Sequence, residues 1–332
     1  MSKILITGGL GFIGSNLIRY WMQKYPSDYI INLDSHTYAA RPDFLQEFLA
    51  SHPALQNRYT HERMDISHQL AVSKFMKRFQ PDHVIHLAAE SHVCRSIAGP
   101  RAFIHSNVVG TFNLLEEFKE LWGRQGGHRF HYVSTDEVFG ELGPKGKFSE
   151  TTPLAPRSPY AASKACGDFL VNCYHETYGL DTVITNCSNN YGLNQHEEKL
   201  IPHTIWTMAQ GKEMTVYGDG THVRDWLHVN DHARAIDKVF RQGVAGERYC
   251  VGGDMEMRNI DMIQIVAKKV SQFCPGLSLK LLFTNDRPTD DARYAIDISK
   301  LRALGWEPRK DLFDLALEET VEWYLKKLDA LL

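Results

Sequence analysis

Two side chains in the middle of the chain have the types and the spacing needed for proton transfer. Tyr160 and Lys164 are separated by four positions, so a helix would place both on one face. A lysine ammonium beside a phenol favours the phenolate and lowers the pKa of the tyrosine. Such a tyrosine can accept a proton from an alcohol. The pair therefore predicts oxidation of a hydroxyl group.

Two adjacent carboxyl groups precede this pair. Asp136 and Glu137 follow Ser134 and Thr135, at the end of a predicted strand over Arg129–Ser134. Ligands of open parallel sheets bind at the carboxyl ends of the strands. Neighbouring like charges push the two pKa values apart, so one carboxyl group can remain protonated. The stretch predicts a proton donor and a proton acceptor, with the Thr135 hydroxyl beside them.

A glycine-rich turn near the start of the chain predicts a dinucleotide site. Gly8, Gly11 and Gly14 recur at a spacing of three, directly after a predicted strand over Lys3–Thr7. These glycines allow a tight turn, close approach of a pyrophosphate, and close packing of the next helix. Asp34 ends the second predicted strand, where a carboxylate accepts hydrogen bonds from ribose hydroxyls and repels a 2′-phosphate. The motif therefore predicts NAD rather than NADP.

Strands and helices alternate along the first 189 residues. This alternation predicts an α/β fold with a Rossmann-type doubly wound parallel sheet. We expect an NAD-binding domain over residues 1–189, a return segment near 225–245, and a smaller C-terminal substrate-binding lobe over 190–332. The predicted helices are Val108–Leu121 and Tyr160–Thr177 in the first domain, and Asn259–Val270 and Asp311–Lys327 in the lobe.

The overall composition limits the partners of the chain. A net charge of −3 over 332 residues gives no basic field for nucleic acid. No apolar run approaches the ~20 residues of a membrane span, and no signal peptide is recognisable. The six cysteines have no metal-binding spacing, so we expect no metal site and a reducing, cytoplasmic location.

Beyond these separate motifs, the chain resembles the extended short-chain dehydrogenase/reductase superfamily and, more narrowly, the dTDP-glucose 4,6-dehydratases. The likeness runs nearly from end to end. It is carried by Thr7–Ser15, Asn32–Ala39, His86–Ile97, Ser134–Gly140, Ser158–Ala165, Ser188–Pro202, Val216–Ala235 and Arg287–Asp297. The narrower resemblance depends on Asp136-Glu137, because related epimerases usually carry other residues there.

The resemblance implies a three-step reaction with NAD kept bound. Tyr160, helped by Lys164, removes the sugar O4 proton while hydride leaves C4. Glu137 then takes the C5 proton, and Asp136 protonates the departing C6 hydroxyl. Hydride returns to C6 and gives a 4-keto-6-deoxy sugar nucleotide, with Thr135 hydrogen-bonded at O4.

The resemblance also implies binding residues and a homodimer. The helices over Val108–Leu121 and Tyr160–Thr177 are the candidates for the dimer contact. Arginines suit the diphosphate because they form forked hydrogen bonds. The implied cofactor residues are Gly8, Gly11, Phe12, Ile13, Gly14, Asp34, Asp65, Ile66, Ala88, Ala89, Tyr160 and Lys164. The implied substrate residues are Glu90, Ser91, His92, Thr135, Asn189, Glu198, Lys199, Leu200, Arg224 and Arg287.

The sequence departs from the family pattern at four places. Cys94 replaces a usual Asp, Phe139 a common Tyr, Leu193-Asn194 a Pro-aromatic pair, and Asp290 a frequent His. The last two changes leave the nucleotide and the sugar open. Two other functions also remain open, a nucleotide-sugar 4-epimerase using the same Tyr/Lys pair and a non-catalytic NAD sensor. The intact acid–base residues disfavour the sensor.

Overall fold

The computed structural model describes residues 2–286 and 291–329. Its main sheet has seven strands, all paired in parallel, in the order β10-β6-β5-β4-β1-β2-β3. The predicted Rossmann-type α/β fold is confirmed by this sheet. These strands are β1 (Lys3–Thr7), β2 (Tyr29–Asp34), β3 (Tyr59–Arg63), β4 (His83–His86), β5 (Arg129–Thr135), β6 (Asp181–Cys187) and β10 (Arg248–Val251).

Helices cover both faces of the main sheet because alternate strand residues are apolar on opposite sides. On one side Ile4 and Ile6 pack with α1 and α10, and on the other Leu5 packs with α4, α7 and α8. The helices of this domain are α1 (Phe12–Lys24), α2 (Pro42–Ser51), α3 (Pro53–Gln56), α4 (Gln69–Phe79), α5 (Val93–Ala98), α6 (Arg101–Phe103), a π-helix (Ile104–Gly110), α7 (Thr111–Trp122), a 3₁₀ turn (Asp136–Phe139), α8 (Pro159–Tyr178) and α10 (Val229–Gln242).

The smaller lobe contains two small sheets and a helical core. Apolar side chains of α9, α11 and α13, among them Ile205, Val266 and Leu317, pack against one another. Its elements are β7 (Asn189–Tyr191), β8 (Met214–Tyr217), β9 (Val223–His228), β11 (Glu256–Arg258), β12 (Leu281–Thr284), α9 (Leu200–Ala209), α11 (Asn259–Phe273), a 3₁₀ turn (Lys310–Leu312) and α13 (Phe313–Asp329). Helix α12 (Ser299–Ala303) instead packs on β10, where Leu301 joins the same apolar cluster as Tyr249 and Val251. Strands β11, β9 and β7 form one sheet, and β12 pairs with β8 in the other.

The chain returns to the main sheet later than the segment near 225–245 that we expected. Strand β9, which covers the start of that segment, pairs with β7 and β11 in the lobe. Helix α10 then packs on α1, and β10 completes the main sheet by pairing with β6. The return therefore consists of a helix followed by a strand, residues 229–251. A strand's partner depends on distant pairing, so local periodicity does not identify it.

Candidate active site

One elongated cleft opens along the carboxyl ends of the main-sheet strands, between the two parts of the fold. The cleft is lined by all twelve residues that the resemblance implies for the cofactor. It is also lined by the five expected catalytic residues, two of which, Tyr160 and Lys164, belong to both groups. Of the predicted substrate residues, Glu90, Ser91, Thr135, Asn189, Glu198 and Lys199 also line it.

The glycine turn brings bare backbone to the cleft. Gly8 has φ +71°, and a Cβ there would lie 2.7 Å from the Ala88 nitrogen. At Gly14 a Cβ would lie 2.2 Å from the Gly8 carbonyl oxygen, so only glycine allows α1 to start this close to the turn. Gly11 differs, because its Cβ would meet only the Gly8 oxygen, at 3.3 Å. The turn therefore offers backbone N–H groups at a helix N-terminus, the arrangement that binds phosphates.

Asp34 is fixed at the edge of the cleft by two backbone N–H groups. Leu10 N donates to Oδ2 at 3.0 Å, and His36 N donates to Oδ1 at 2.8 Å. His36 has φ +58°, which turns the chain sharply after β2. The carboxylate is thereby held where a ribose hydroxyl can donate to it.

Helix α8 positions the tyrosine and the lysine. It begins with Pro159 in its first turn, and the Ser158 hydroxyl accepts a hydrogen bond from Ala161 N at 3.1 Å. Tyr160 and Lys164 are both buried. Lys164 Nζ donates to the Val133 carbonyl at 2.8 Å, and burial lowers the pKa of this lysine to about 8.

The expected lowering of the Tyr160 pKa by Lys164 is not what the structure shows. Burial raises the pKa of Tyr160 well above its usual value, and the charge of Glu137 raises it further. A hydrogen bond with Thr135 opposes this shift. The helical spacing correctly predicted that Tyr160 and Lys164 lie on the same face of α8. The Lys164 ammonium, however, is directed to the Val133 carbonyl. Thr135, rather than Lys164, is the group of this chain that favours the phenolate.

The two carboxyl groups differ in their surroundings. Asp136 is 2% exposed, and its Oδ2 has no hydrogen-bond partner among the described residues. Burial raises its pKa well above the usual value, and the charges of Glu137 and Asp225 raise it further. Glu137 is partly exposed at the cleft. Asp136 is therefore the carboxyl group suited to hold a proton.

Three of the predicted substrate residues do not line the cleft. His92 begins α5, where its Nδ1 accepts from Arg95 N at 3.3 Å, and Leu200 packs against the lobe core. Arg224 is 6% exposed, and its guanidinium lies 4.6 Å from the Tyr294 ring centre. Arg287 lies outside the described residues. Strand β9 buries Arg224, although its loop-like sequence suggested solvent or ligand contact.

The cleft also contains four polar residues that were not among the predicted site residues. The Ser134 and Ser188 hydroxyls are buried without a hydrogen-bond partner among the described residues. Gln195 and His196 line the same cleft. Ser134 is the last residue but one of β5, and Ser188 directly follows β6, so the rule that ligands bind at strand ends could have identified both. Nothing local identifies Gln195 or His196.

Two of the departures from the family pattern, at Leu193-Asn194 and at Phe139, make structural contacts. Asn194 has φ +70° and is 1% exposed, and its Nδ2 donates to Ser15 Oγ at 3.0 Å. The Leu193 carbonyl accepts from Asn16 Nδ2 at 2.9 Å. Phe139 packs on Phe148, with ring centres 5.3 Å apart. Cys94 lies in α5, and Asp290 lies outside the described residues.

The residues present fit a dinucleotide with an unphosphorylated ribose. Gly11 leaves space at the turn, Asp34 supplies a fixed acceptor, and the two unpartnered serine hydroxyls face the same cleft. Within residues 2–286 and 291–329, no three His, Cys, Asp or Glu side chains converge as a metal site requires. In the same part of the chain, no helix combines the length and apolar character needed to cross a bilayer.

The fold and this site define an extended short-chain dehydrogenase/reductase. The chain belongs to the GDP-mannose 4,6 dehydratase family, whose model matches residues 5–319. The predicted resemblance is thereby confirmed.

Curated relatives and solved structures agree with this assignment. The chain is 44% identical to the dTDP-glucose 4,6-dehydratase of Salmonella typhimurium, covering 97% of this chain and 92% of the relative. It is 45% identical to the dTDP-glucose 4,6-dehydratase of Neisseria meningitidis, covering 98% and 94%. The crystal structure of DesIV, a dTDP-glucose 4,6-dehydratase from Streptomyces venezuelae with NAD bound, matches with a TM-score of 0.90 and 39% identity, covering 99% and 98%.

Proposed function

We propose that this chain is an NAD-dependent dTDP-glucose 4,6-dehydratase, a hydro-lyase that forms the 4-keto-6-deoxy sugar nucleotide. The observation that carries the proposal is the pair Asp136-Glu137 beside Tyr160 in one cleft. Loss of water from C5 and C6 needs both an acid and a base in addition to the group that deprotonates O4. The substrate and the cofactor are those that the names of the relatives give.

Each catalytic group has a proposed role, and the surroundings of Asp136 and Glu137 support theirs. Tyr160 takes the O4 proton, with Thr135 hydrogen-bonded to its oxygen and to the substrate O4. Glu137, the more exposed carboxylate, takes the C5 proton once C4 is a ketone. Asp136 keeps its proton because it is buried, and gives it to the departing C6 hydroxyl. NAD, when bound, accepts hydride from C4 and supplies it to C6.

The same cleft supports a division of binding roles. The glycine turn and Asp34 would hold the pyrophosphate and the adenosine ribose, with Asp65 and Ile66 at the adenine. Glu90, Ser91, Asn189, Glu198 and Lys199 would contact the sugar nucleotide, because they line the same cleft as the catalytic residues. The lobe built on α9, α11 and α13 would close on this substrate.

A direct assay tests the proposal. The purified protein is incubated with dTDP-glucose, UDP-glucose and GDP-mannose, and the products are identified by NMR spectroscopy. We expect loss of water from dTDP-glucose and a 4-keto-6-deoxy product. An epimer that retains its C6 hydroxyl would instead identify a 4-epimerase. Bound NAD without turnover of any of the three sugars would identify a non-catalytic protein.

We also propose a homodimer formed through α7 and α8. The outward side of these helices carries exposed apolar side chains, with Phe112 42% exposed and Phe169 63% exposed. Val108, Cys166 and Cys173 lie around a shallow apolar depression beside Phe169. Burying such a continuous apolar face against a second copy is favourable.

The proposed cytoplasmic location is supported by the six cysteines, which are all free thiols.

A further inference from the structure

We infer that residues 193–199 form a strap that closes the cleft over the cofactor, and that Tyr38 and Arg95 hold its far end. The inference rests on the proposed function, because a dehydratase that returns hydride to its own product must keep NAD bound between the two transfers. The strap is defined by sequence as Leu193-Asn194-Gln195-His196-Glu197-Glu198-Lys199.

The strap and the loop that follows Asp34 both line the cleft. The strap contributes Gln195, His196, Glu198 and Lys199, and the loop contributes Ser35, Thr37, Ala39 and Ala40. Tyr38 bridges the two segments, because its hydroxyl donates to Glu198 Oε1 at 3.1 Å. Two segments that line the dinucleotide cleft are thus connected by a side-chain contact.

Arg95 strengthens the bridge from a third element, α5. Its guanidinium carbon lies 3.6 Å from the Tyr38 ring centre, and its Nε lies 3.7 Å from Glu198 Oε2. A cation over an aromatic face and an ion pair therefore act on the same contact. His92 and His196 also face this carboxylate, at 3.5 and 3.7 Å from Oε2.

The near end of the strap is attached by buried groups. Asn194 Nδ2 donates to Ser15 Oγ, and Asn16 Nδ2 donates to the Leu193 carbonyl. Ser15, Asn16 and Asn194 are each at most 3% exposed. Because Ser15 and Asn16 belong to the helix after the glycine turn, this end of the strap moves with the cofactor-binding turn.

At the far end Glu198 is itself only 17% exposed, but Tyr38 and Arg95, which hold it from the other elements, are more exposed. Tyr38 is 38% exposed and the Arg95 side chain 52% exposed. The adjacent ion pair between Arg41 and Glu197 is also partly exposed. Exposed ion pairs are weak, and buried hydrogen bonds are costly to break. Lys199 caps α9, so both ends of the strap are fixed in the fold. When the contacts of Tyr38 and Arg95 with Glu198 break, the middle of the strap can move away from the cleft, and while they are intact they would slow the release of NAD.

Tyr38→Phe and Arg95→Gln test the inference without altering the strap itself. Holoenzyme is loaded with radiolabelled NAD, diluted into excess unlabelled NAD, and sampled for retained label in the absence of sugar nucleotide. Loss of one hydrogen bond of about 1 kcal/mol predicts about fivefold faster release. Matched controls are Tyr178→Phe, a similarly exposed tyrosine at the end of α8, and Arg101→Gln, an exposed arginine on α6.

The expected result is faster release of NAD in both strap variants, with kcat at saturating NAD within about twofold of the unmodified protein. Release at the rate of the controls would overturn the inference. A fall in kcat at saturating NAD with unchanged release would also overturn it, because it would place Tyr38 and Arg95 on the substrate. If the strap variants release NAD faster but the unmodified protein dehydrates no sugar nucleotide, the strap stands and the proposed function fails.

Discussion

Asp136 and Glu137 are consecutive residues whose carboxyl groups lie in different environments. Asp136 is 2% exposed with one oxygen unpartnered among the described residues, whereas Glu137 is partly exposed at the cleft. Burial and the charge of Glu137 both raise the pKa of Asp136. Ionisation of Glu137 thus makes Asp136 hold its proton more tightly. We therefore propose that a single turn after β5 supplies both the proton donor and the proton acceptor of an elimination.

Glu137→Gln removes the proposed proton acceptor and leaves the proposed proton donor, Asp136, in place. We expect oxidation at C4 to proceed while loss of the C5 proton stops, since glutamine cannot accept a proton. Turnover should fall about 100-fold or more, in keeping with the contribution of a general base. Stopped-flow absorbance at 340 nm with dTDP-glucose should then show reduced cofactor accumulating in the protein.

The matched control for this variant is Tyr160→Phe, which lacks the group that deprotonates O4. It should show neither turnover nor reduced cofactor. Normal turnover in Glu137→Gln would exclude Glu137 as the base.

A second acid–base prediction concerns Asp225, whose Oδ2 has no partner among the described residues. Burial raises its pKa from 3.8 to about 6, so the folded protein binds more protons than the unfolded chain between these values. The free energy of unfolding should therefore fall as pH rises from about 4 to about 6, and remain lower above that. A shift of about two units corresponds to roughly 3 kcal/mol.

Asp225→Asn should remove this pH dependence. The amide oxygen can still accept the hydrogen bond from Met255 N, which Asp225 Oδ1 accepts at 2.7 Å. We expect the variant to be more stable than the unmodified protein at pH 7, by up to about 3 kcal/mol, and equally stable near pH 4. Urea unfolding at pH 4, 5, 6 and 7 measures the difference. Parallel pH profiles for the two proteins would contradict the prediction.

The parts of the site that the sequence predicts are those set by local spacing. The spacing of three between Gly8, Gly11 and Gly14 predicts the dinucleotide-binding turn. The spacing of four between Tyr160 and Lys164 predicts that they share one face of a helix. The strand ends follow from the alternation of β and α segments. Each of these features depends on residues that are close along the chain, so none requires knowledge of how distant segments pack.

The parts that the sequence does not predict depend on distant packing. The effect of Lys164 on Tyr160 depends on burial and on the Val133 carbonyl that takes the ammonium. The charge of Asp225 acts on Asp136 only because β9 lies beside the turn after β5. The strap contact between Tyr38 and Glu198 joins residues 160 positions apart. Periodicity within one segment contains no information about these pairs.

Two alanine substitutions in the glycine turn distinguish the effect of an added methyl group on NAD binding from its effect on folding stability. Gly11 has φ −74° and ψ 174°, which any residue adopts, and its added Cβ would meet only the Gly8 oxygen. Gly11→Ala should therefore leave the melting temperature of the apoprotein nearly unchanged and weaken NAD binding about tenfold, because the methyl group occupies the cleft. Calorimetric titration with NAD measures the loss.

Gly14→Ala is the contrasting variant. Its Cβ would lie 2.2 Å from the Gly8 carbonyl oxygen and 2.8 Å from the Gly9 Cα, both backbone atoms. We expect a lower melting temperature as well as weaker NAD binding. Equal losses of stability in Gly11→Ala and Gly14→Ala would contradict the prediction that Gly11 serves NAD binding and not folding.

The proposed dimer face makes a prediction that is independent of catalysis. Phe169 is 63% exposed on α8, beside the apolar depression formed with Val108, Cys166 and Cys173. Phe169→Arg would place a charge in the interface, where an unpaired buried charge is strongly unfavourable. We expect light scattering to give the mass of a dimer for the unmodified protein and of a monomer for the variant. Leu70→Arg is the control, since Leu70 is 76% exposed on α4 and should leave the dimer intact. A monomer mass for the unmodified protein would contradict the dimer, and a dimeric Phe169→Arg would move the interface away from α8.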